Sequence, residues 1–315
     1  MAAIDVVCAG VLVADVFVPP LERLPHAGEL LATDDFWIDS GGCAANTATS
    51  LVKLDVAAAV AGVVGTDIYG DFVERDLGTK GVDTAALRRT DVAGTSKTVI
   101  LPVRGEDRRY IHTFGANADF RVADIPRELV AHAGVLCVSG YLILPAFDPV
   151  ELAELFTFAR QQGVWTILDV VVTEGGNEGG QHWAALTPVL PQVDFFLPNN
   201  DEAQQLTGET DPLRQAQQLR QAGCGTAIVT LGDRGAVIAD ERDVVCLEGF
   251  AVDVVDGSGA GDAFAAGLIA GLIDGLDTQA CVRLASAIGA SACSKLGCTT
   301  GVFSRAEANT FLEAV

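Results

Sequence analysis

Apolar positions along this chain fall into two rhythms. Short β-branched or otherwise apolar runs recur at Ile4–Ala9, Ala57–Val64, Val135–Ser139, Val164–Asp169, Asp194–Leu197, Ala227–Thr230 and Gly235–Ala239, and each reads as a strand. Between them lie segments with helical spacing: Ala44–Lys53, Ile68–Lys80, Pro149–Gln162, Asp201–Leu206, Pro212–Ala222, Ala263–Ile273, Thr278–Lys295 and Arg305–Ala314. Strands alternating with helices predict βαβ units, and therefore an α/β domain with a mainly parallel sheet flanked by helices. No internal repeat or low-complexity linker divides the chain.

Two regions depart from this alternation. Val11–Asp39 carries Pro19, Pro20 and Pro25, followed by a strand-like stretch, Leu30–Ile38. Ser96–Phe114 reads as a hairpin, with Thr98–Val103 and Arg109–Phe114 joined by a turn at Gly105-Glu-Asp107. Together, about 11–39 and 94–115 predict a small separate β-sheet inserted in a single domain spanning 1–315. Such an appendage at strand ends is a natural lid over a cleft.

Composition narrows the class. Half the residues are hydrophobic, yet no uninterrupted apolar run reaches membrane-spanning length, so a soluble globular protein is expected. The stretch Ala3–Gly10 lacks a basic flank and carries Asp5, which fits a buried first strand better than a secretion signal. Eight cysteines occur without C-x-x-C pairs, mostly in apolar segments. They read as reduced residues of a cytoplasmic protein, with metal binding not expected of them. The net charge of −22 argues against nucleic acid or an anionic membrane as partner. An anionic substrate would have to be held by local donors and metal ions against that field.

The chemistry concentrates in Asp253-Val-Val-Asp256-Gly257-Ser-Gly259-Ala260-Gly261-Asp262, which runs into the apolar helix Ala263–Ile273. Glycines at a helix mouth leave backbone N–H groups unshielded, and the helix dipole adds positive potential, so the segment suits phosphate. A carboxylate at the same mouth, Asp262, is either a helix cap or a base. The spacing matches neither G-x-G-x-x-G nor G-x-x-x-x-G-K-[ST]. Three weaker signals accompany it. Gly41-Gly42 precedes Asn46, whose amide suits a hydroxyl. Asn199-x-x-Glu202 ends a strand and begins a helix, where it is a capping cluster or a place for Mg²⁺ held through water. Thr230-x-Gly232-x-x-Gly235 is a nucleotide-contacting turn or a plain hairpin.

In order and spacing these segments, with Gly65-Thr-Asp67-Ile-Tyr-Gly70, resemble the ribokinase-like, PfkB-type carbohydrate kinases over essentially the whole chain. The resemblance implies the ribokinase-like three-layer α/β/α fold with a β lid, and ATP-dependent phosphorylation of a sugar hydroxyl. Asp262 resembles the catalytic base; Gly259, Ala260 and Gly261 resemble the anion hole. Asn199 and Glu202 resemble the pair organising Mg²⁺ and phosphates, and Thr230, Gly232 and Gly235, with Gly261, the ATP contacts. Asp15, Gly41, Gly42 and Asn46, joined by Asn117, would grip the sugar. Asp256 and the carbonyls of Ser258, Ala292, Lys295 and Gly297 match ligands of an activating monovalent cation, K⁺ in many members.

Three departures accompany the match. Ribokinases proper carry lysine where this chain has Cys43, a glutamate within the segment corresponding to Ser139–Leu144, and a serine where Gly301 stands beside Thr300. These weigh against ribose and leave potassium dependence open. The hairpin strand puts Arg109, Ile111 and Thr113 on one face and Tyr110, His112 and Phe114 on the other. An inward arginine face would favour a phosphorylated or acidic sugar; an inward aromatic face would favour a nucleoside base. The expected acceptor is a neutral sugar or sugar-like polyol, with an adenosine-like nucleoside as the alternative. A non-catalytic sugar-binding regulator ranks lower, and a dehydrogenase last. By analogy with the family, a homodimer joined through the lid is expected.

Overall fold

Val6, Val7, Cys8 and Ala9 are wholly excluded from solvent, so the first strand lies inside the molecule with both faces covered. The computed structural model describes residues 4–106, 109–172 and 180–314; Asp107 of the hairpin turn lies outside these. The strands are β1 (Val6–Gly10), β2 (Val13–Phe17), β3 (Trp37–Gly41), β4 (Ala58–Gly65), β5 (Asp83–Thr90), β6 (Lys97–Leu101) and β7 (Arg109–Thr113). They continue with β8 (Val135–Ser139), β9 (Trp165–Leu168), β10 (Phe195–Phe196), β11 (Thr226–Thr230), β12 (Ala236–Ala239) and β13 (Val244–Leu247). The helices are α1 (Cys43–Lys53), α2 (Ile68–Thr79), α3 (Arg127–Ala131), α4 (Pro149–Gln161) and α5 (Gln181–Leu186). After these come α6 (Asn200–Thr207), α7 (Pro212–Gln221), α8 (Ala260–Ile273), α9 (Thr278–Ala292) and α10 (Arg305–Glu313).

Nine strands form one sheet in the order β13-β12-β11-β10-β9-β8-β1-β4-β5. Every pairing is parallel except β11–β12 and β12–β13. Helices α1, α2, α8, α9 and α10 contribute to the core on one face, and α3 to α7 to the core on the other. The result is a three-layer α/β/α architecture of the kind the resemblance implies. Helix α8 carries almost no polar side chain and is buried from Ala263 to Gly271. At Gly267 a Cβ would lie 2.6 Å from the Cα of Ala285, so α9 packs against it at backbone contact.

The remaining four strands make a second sheet, β3-β2-β6-β7. Its outer pairings are antiparallel and its central pair, β2–β6, is parallel. The strand expected at Leu30–Ile38 begins only at Trp37. Leu30 is 89% exposed and Phe36 63%, and these residues have no neighbouring strand to bond with. Register puts Asp39, Asp15, Thr98 and His112 in one row across the sheet, hence on one face. The next row, Ile38, Val16, Val99 and Ile111, belongs to the opposite face.

Candidate active site

Loops at the carboxyl ends of the parallel strands converge where α1 and α8 begin. Gly259 is the N-cap of α8 in left-handed backbone, φ 73°. A Cβ there would sit 2.3 Å from the carbonyl oxygen of Cys298, so neither the dihedral nor the space admits another residue. No side chain caps this helix; Ala260 N donates to Gly257 O at 3.4 Å, and the next amides of the first turn have no side-chain acceptor. The helix starts at Ala260 rather than at the expected Ala263, placing Asp262 inside its first turn.

Asp262 is half-buried and held from α1. Asn46 Nδ2 donates to its Oδ2 at 2.8 Å, and Thr47 Oγ1 to its backbone carbonyl at 3.4 Å. Burial pushes its carboxyl up to about 7; hydrogen bonds from Asn46 and Cys43 pull down against this, and the charge of Asp15 pushes up again. Asp262 is therefore poised between protonated and ionised near neutrality. Asp15, almost buried, is raised to about 6 by desolvation, with a Thr98 hydrogen bond opposing, Asp39 raising and Lys80 lowering it. Lys80 bonds Asp39 and Ser40 and pairs with Asp76 at 2.7 Å, which fastens β3 to α2 behind Asp15. Gly41 faces Asp15 so closely that a Cβ would lie 1.9 Å from Asp15 Oδ2. Gly42 is the N-cap of α1 and Cys43 its first residue. Asp15, Gly41, Gly42, Asn46 and Asp262 are thus brought together.

Asn117 is bonded to the backbone of Leu12. It is 1% exposed, and its amide accepts from Leu12 N at 3.1 Å and donates to Leu12 O at 2.9 Å. Both polar ends are engaged in holding the β1–β2 connection.

On the other side of the α8 mouth is a cavity of about 580 Å³, lined among others by Thr230, Gly232, Gly235, Ala260, Gly261 and Phe250. Four residues expected to contact ATP therefore line one cavity with part of the glycine segment. Its far wall, with Val252, Ala290 and Cys293, is apolar. Asn199 stands beside it, bridged to Thr230. Asn199 Oδ1 accepts from Glu202 N and Glu202 Oε2 accepts from Asn199 N, both at 2.9 Å, so the pair is a capping box for α6. Desolvation raises Glu202 to about 7; the backbone N–H groups of Asn199 and Val172 lower it, and the charges of Asp201 and Asp262 raise it.

Asp256 is 3% exposed and its carboxylate accepts from Ser258 N at 2.9 Å and Gly297 N at 3.0 Å. The backbone N–H of Asp256 donates to Cys293 O at 3.2 Å. It therefore ties the 256–258 loop to the 293–297 segment, close to Ala292 and Lys295.

Two features were not read from the sequence. Asp169, just after β9, is pushed well up by burial and then by the charges of Asp262 and Glu202, with Gly140 N–H lowering it. Its only sequence signal was a carboxylate at a strand's carboxyl end. Cys43 Sγ, Asp169 and Asp262 also present ligand atoms all within 4.8 Å of one another, a cysteine-containing donor set that spacing along the chain does not reveal. The hairpin faces are resolved as well: His112 bonds Thr98 at 3.0 Å, and Tyr110 Oη lies 3.4 Å from Ser258 Oγ. The aromatic face is the one that carries Asp15, while Arg109 pairs with Glu106 on the other.

Residues 3–304 match the pfkB family carbohydrate kinase. A 2-dehydro-3-deoxygluconokinase of Bacillus subtilis is 30% identical over 283 residues, covering 87% of this chain and 86% of the relative. A ribokinase of Haemophilus influenzae is 24% identical over 291 residues, 91% of each chain. The structure of a putative ribokinase II from E. coli in complex with ATP and Mg²⁺ superposes with a TM-score of 0.86 at 20% identity, covering 99% of this chain and all of that one. No helix among the described residues is long and apolar enough to cross a membrane.

Proposed function

The chain belongs to the pfkB family of carbohydrate kinases, ATP-dependent enzymes acting on a sugar hydroxyl, and we propose that Asp262 is the general base with a neutral sugar or sugar-like polyol as acceptor. The observation that carries this reading is the position of Asp262 between two half-sites. On one side lies the cavity lined by Thr230, Gly232, Gly235 and Gly261, sized for a nucleotide; on the other lie Asp15 and Asn46.

Asn46 holds one carboxylate oxygen, and the ionised group accepts the proton of the acceptor hydroxyl as its oxygen attacks the terminal phosphorus of ATP. Charge that spreads over the transferring phosphoryl group is met by the first-turn amides at Gly259-Ala260-Gly261 and by the α8 dipole. Asp15, with Gly41 and Gly42 against it, orients the sugar hydroxyls. Glu202 and Asn199 fit an outer-shell Mg²⁺ site: the carboxylate is buried and partly engaged by amides, leaving room for a contact through water rather than direct ligation. Mg²⁺ bound there would neutralise phosphate oxygens. Asp256, clamping two loops whose carbonyls include Ser258 and Gly297, fits a monovalent-cation site, and the potassium dependence of kcat checks it.

The face of the second sheet supports the choice of acceptor. None of its described strand residues on the Asp15 side is Lys or Arg, and Lys80, which reaches that side from α2, is already paired with Asp39 and Asp76, which disfavours a phosphorylated or acidic acceptor. Tyr110, His112 and Phe114 on that face favour one second reading, a nucleoside whose base stacks on them. We assign the sheet as the lid. Its outer row of Ile38 and Ile111, 42% and 64% exposed, flanking half-buried Val16 and Val99, is the surface expected to join two copies. A coupled ADP-release screen across sugars, sugar phosphates and nucleosides, with and without potassium, tests the assignment. Turnover on neutral sugars supports it, nucleoside turnover favours the second reading, and turnover confined to sugar phosphates contradicts both.

A further inference from the structure

We propose that Cys43, Asp169 and Asp262 form a thiophilic metal site at the head of α1, which takes a zinc-class divalent cation and blocks the kinase when filled. Their donor atoms already lie within 4.8 Å of one another, drawn from the α1 start, the β9 end and the α8 first turn. Tetrahedral zinc with bonds of about 2.0–2.3 Å needs donors on the order of 3.5 Å apart, so inward shifts of at most about three-quarters of an ångström close the site.

Charge points the same way. The charge of Asp262 acts on both Asp169 and Glu202, and that of Glu202 on Asp169, so three carboxylates crowd one place. Among the described residues no Lys, Arg or His pairs with any of the three, whereas Asp39 and Asp76 share Lys80. The other observation is Asn46, one helical turn beyond Cys43. It is 4% exposed, its Nδ2 grips Asp262, and its Oδ1 is buried without a partner. That oxygen can accept from a metal-bound water completing the coordination.

The thiol selects the ion. Soft thiolate ligands favour zinc-like ions, while Mg²⁺ prefers six oxygens and keeps its water. Cys43 is a neutral thiol without metal, since burial pushes it up, and it bonds Asp262. On binding, the sulfur–hydrogen bond breaks and a sulfur–metal bond forms; the thiol proton, with the protons held by Asp169 and by the protonated fraction of Asp262, leaves to the buffer. The cation takes the proton's place between Cys43 and Asp262. With its charge committed to the metal, Asp262 cannot accept the acceptor's proton.

The test uses the full chain in excess Mg²⁺. Co²⁺ is titrated while sulfur-to-metal charge-transfer absorption is recorded, and Zn²⁺ affinity is measured against a chromophoric chelator, for wild type, Cys43→Ser and Asp169→Asn. Wild type is expected to show a one-equivalent absorption component missing from Cys43→Ser. Zinc affinity should fall at least about tenfold in both variants. Zinc inhibition, taken relative to each protein's own uninhibited rate, should weaken in parallel and compete with the acceptor. Unchanged absorption or unchanged affinity in Cys43→Ser would overturn the site, and binding without inhibition would overturn its blocking role. The inhibitory arm rests on Asp262 as base; the optical arm is read without turnover, so the two readings fail separately.

Discussion

Replacing Asn46 with alanine should move the pH dependence of the reaction rather than merely lower its rate. The Nδ2 of Asn46 donates to Asp262 Oδ2 at 2.8 Å and stabilises the ionised form, opposing the burial that raises the carboxyl to about 7. A hydrogen bond to a charged group is worth about 1.5–3 kcal/mol, and one unit of pKa corresponds to about 1.4 kcal/mol. Because water can replace part of the bond in a half-buried site, a rise of about one unit is expected. The base works ionised, so kcat/KM falls as pH drops through its pKa. The acid limb of Asn46→Ala should therefore lie near 8 instead of 7. At pH 7 the ionised fraction would drop from about one half to about one tenth, a loss of roughly fivefold that disappears above pH 9. Any loss of sugar contact by Asn46 lowers the whole profile equally and does not move the limb. The assay is a pH–rate profile of kcat/KM for both proteins. A limb unmoved from wild type, or one near 4 in either protein, would refute the reasoning.

Other outcomes follow from the same geometry. Gly259→Ala must place a Cβ 2.3 Å from Cys298 O at φ 73°, so the 257–261 turn should shift and kcat fall at least about tenfold; unchanged turnover would mean that the turn does not set the rate. Stability should move the other way when the base is neutralised. Asp262 has a folded pKa near 7 against about 4 unfolded, so the folded state binds the extra proton between them and stability falls as pH rises through that window. Asp262→Asn should accordingly raise Tm at pH 8 by about 2–4 °C, with a smaller gain at pH 5. A lower Tm at pH 8 would show that the buried carboxylate is stabilising.

The legibility of the sequence followed exposure. Strands β1, β4 and β8 are sandwiched between helix layers, so their apolar runs are continuous and stand out. In the large sheet the two strands not recognised, β5 and β13, are its two edges, and β2 was not singled out within the segment given to the small sheet. Asp83–Thr90 contains two arginines and is mostly half-buried, since an edge is covered incompletely. Helix α8 was expected to start late because Gly259-Ala-Gly reads as a turn; packing against α1 and α9 overrides that weak local propensity. The glycine segment, Asp15 and Asn46 were readable as separate signals. Their convergence with Asp169 was not, because that residue reaches the site only through the β9–β10 order in the sheet.

The central claim concerns one carboxylate, and its most direct test is Asp262→Asn, an isosteric change that keeps shape and removes the base. Steady-state turnover and ATP affinity should be measured together, with the acceptor identified by ADP release. The account predicts a kcat lowered at least about a hundredfold with ATP affinity little changed. Turnover within about tenfold of wild type would contradict it.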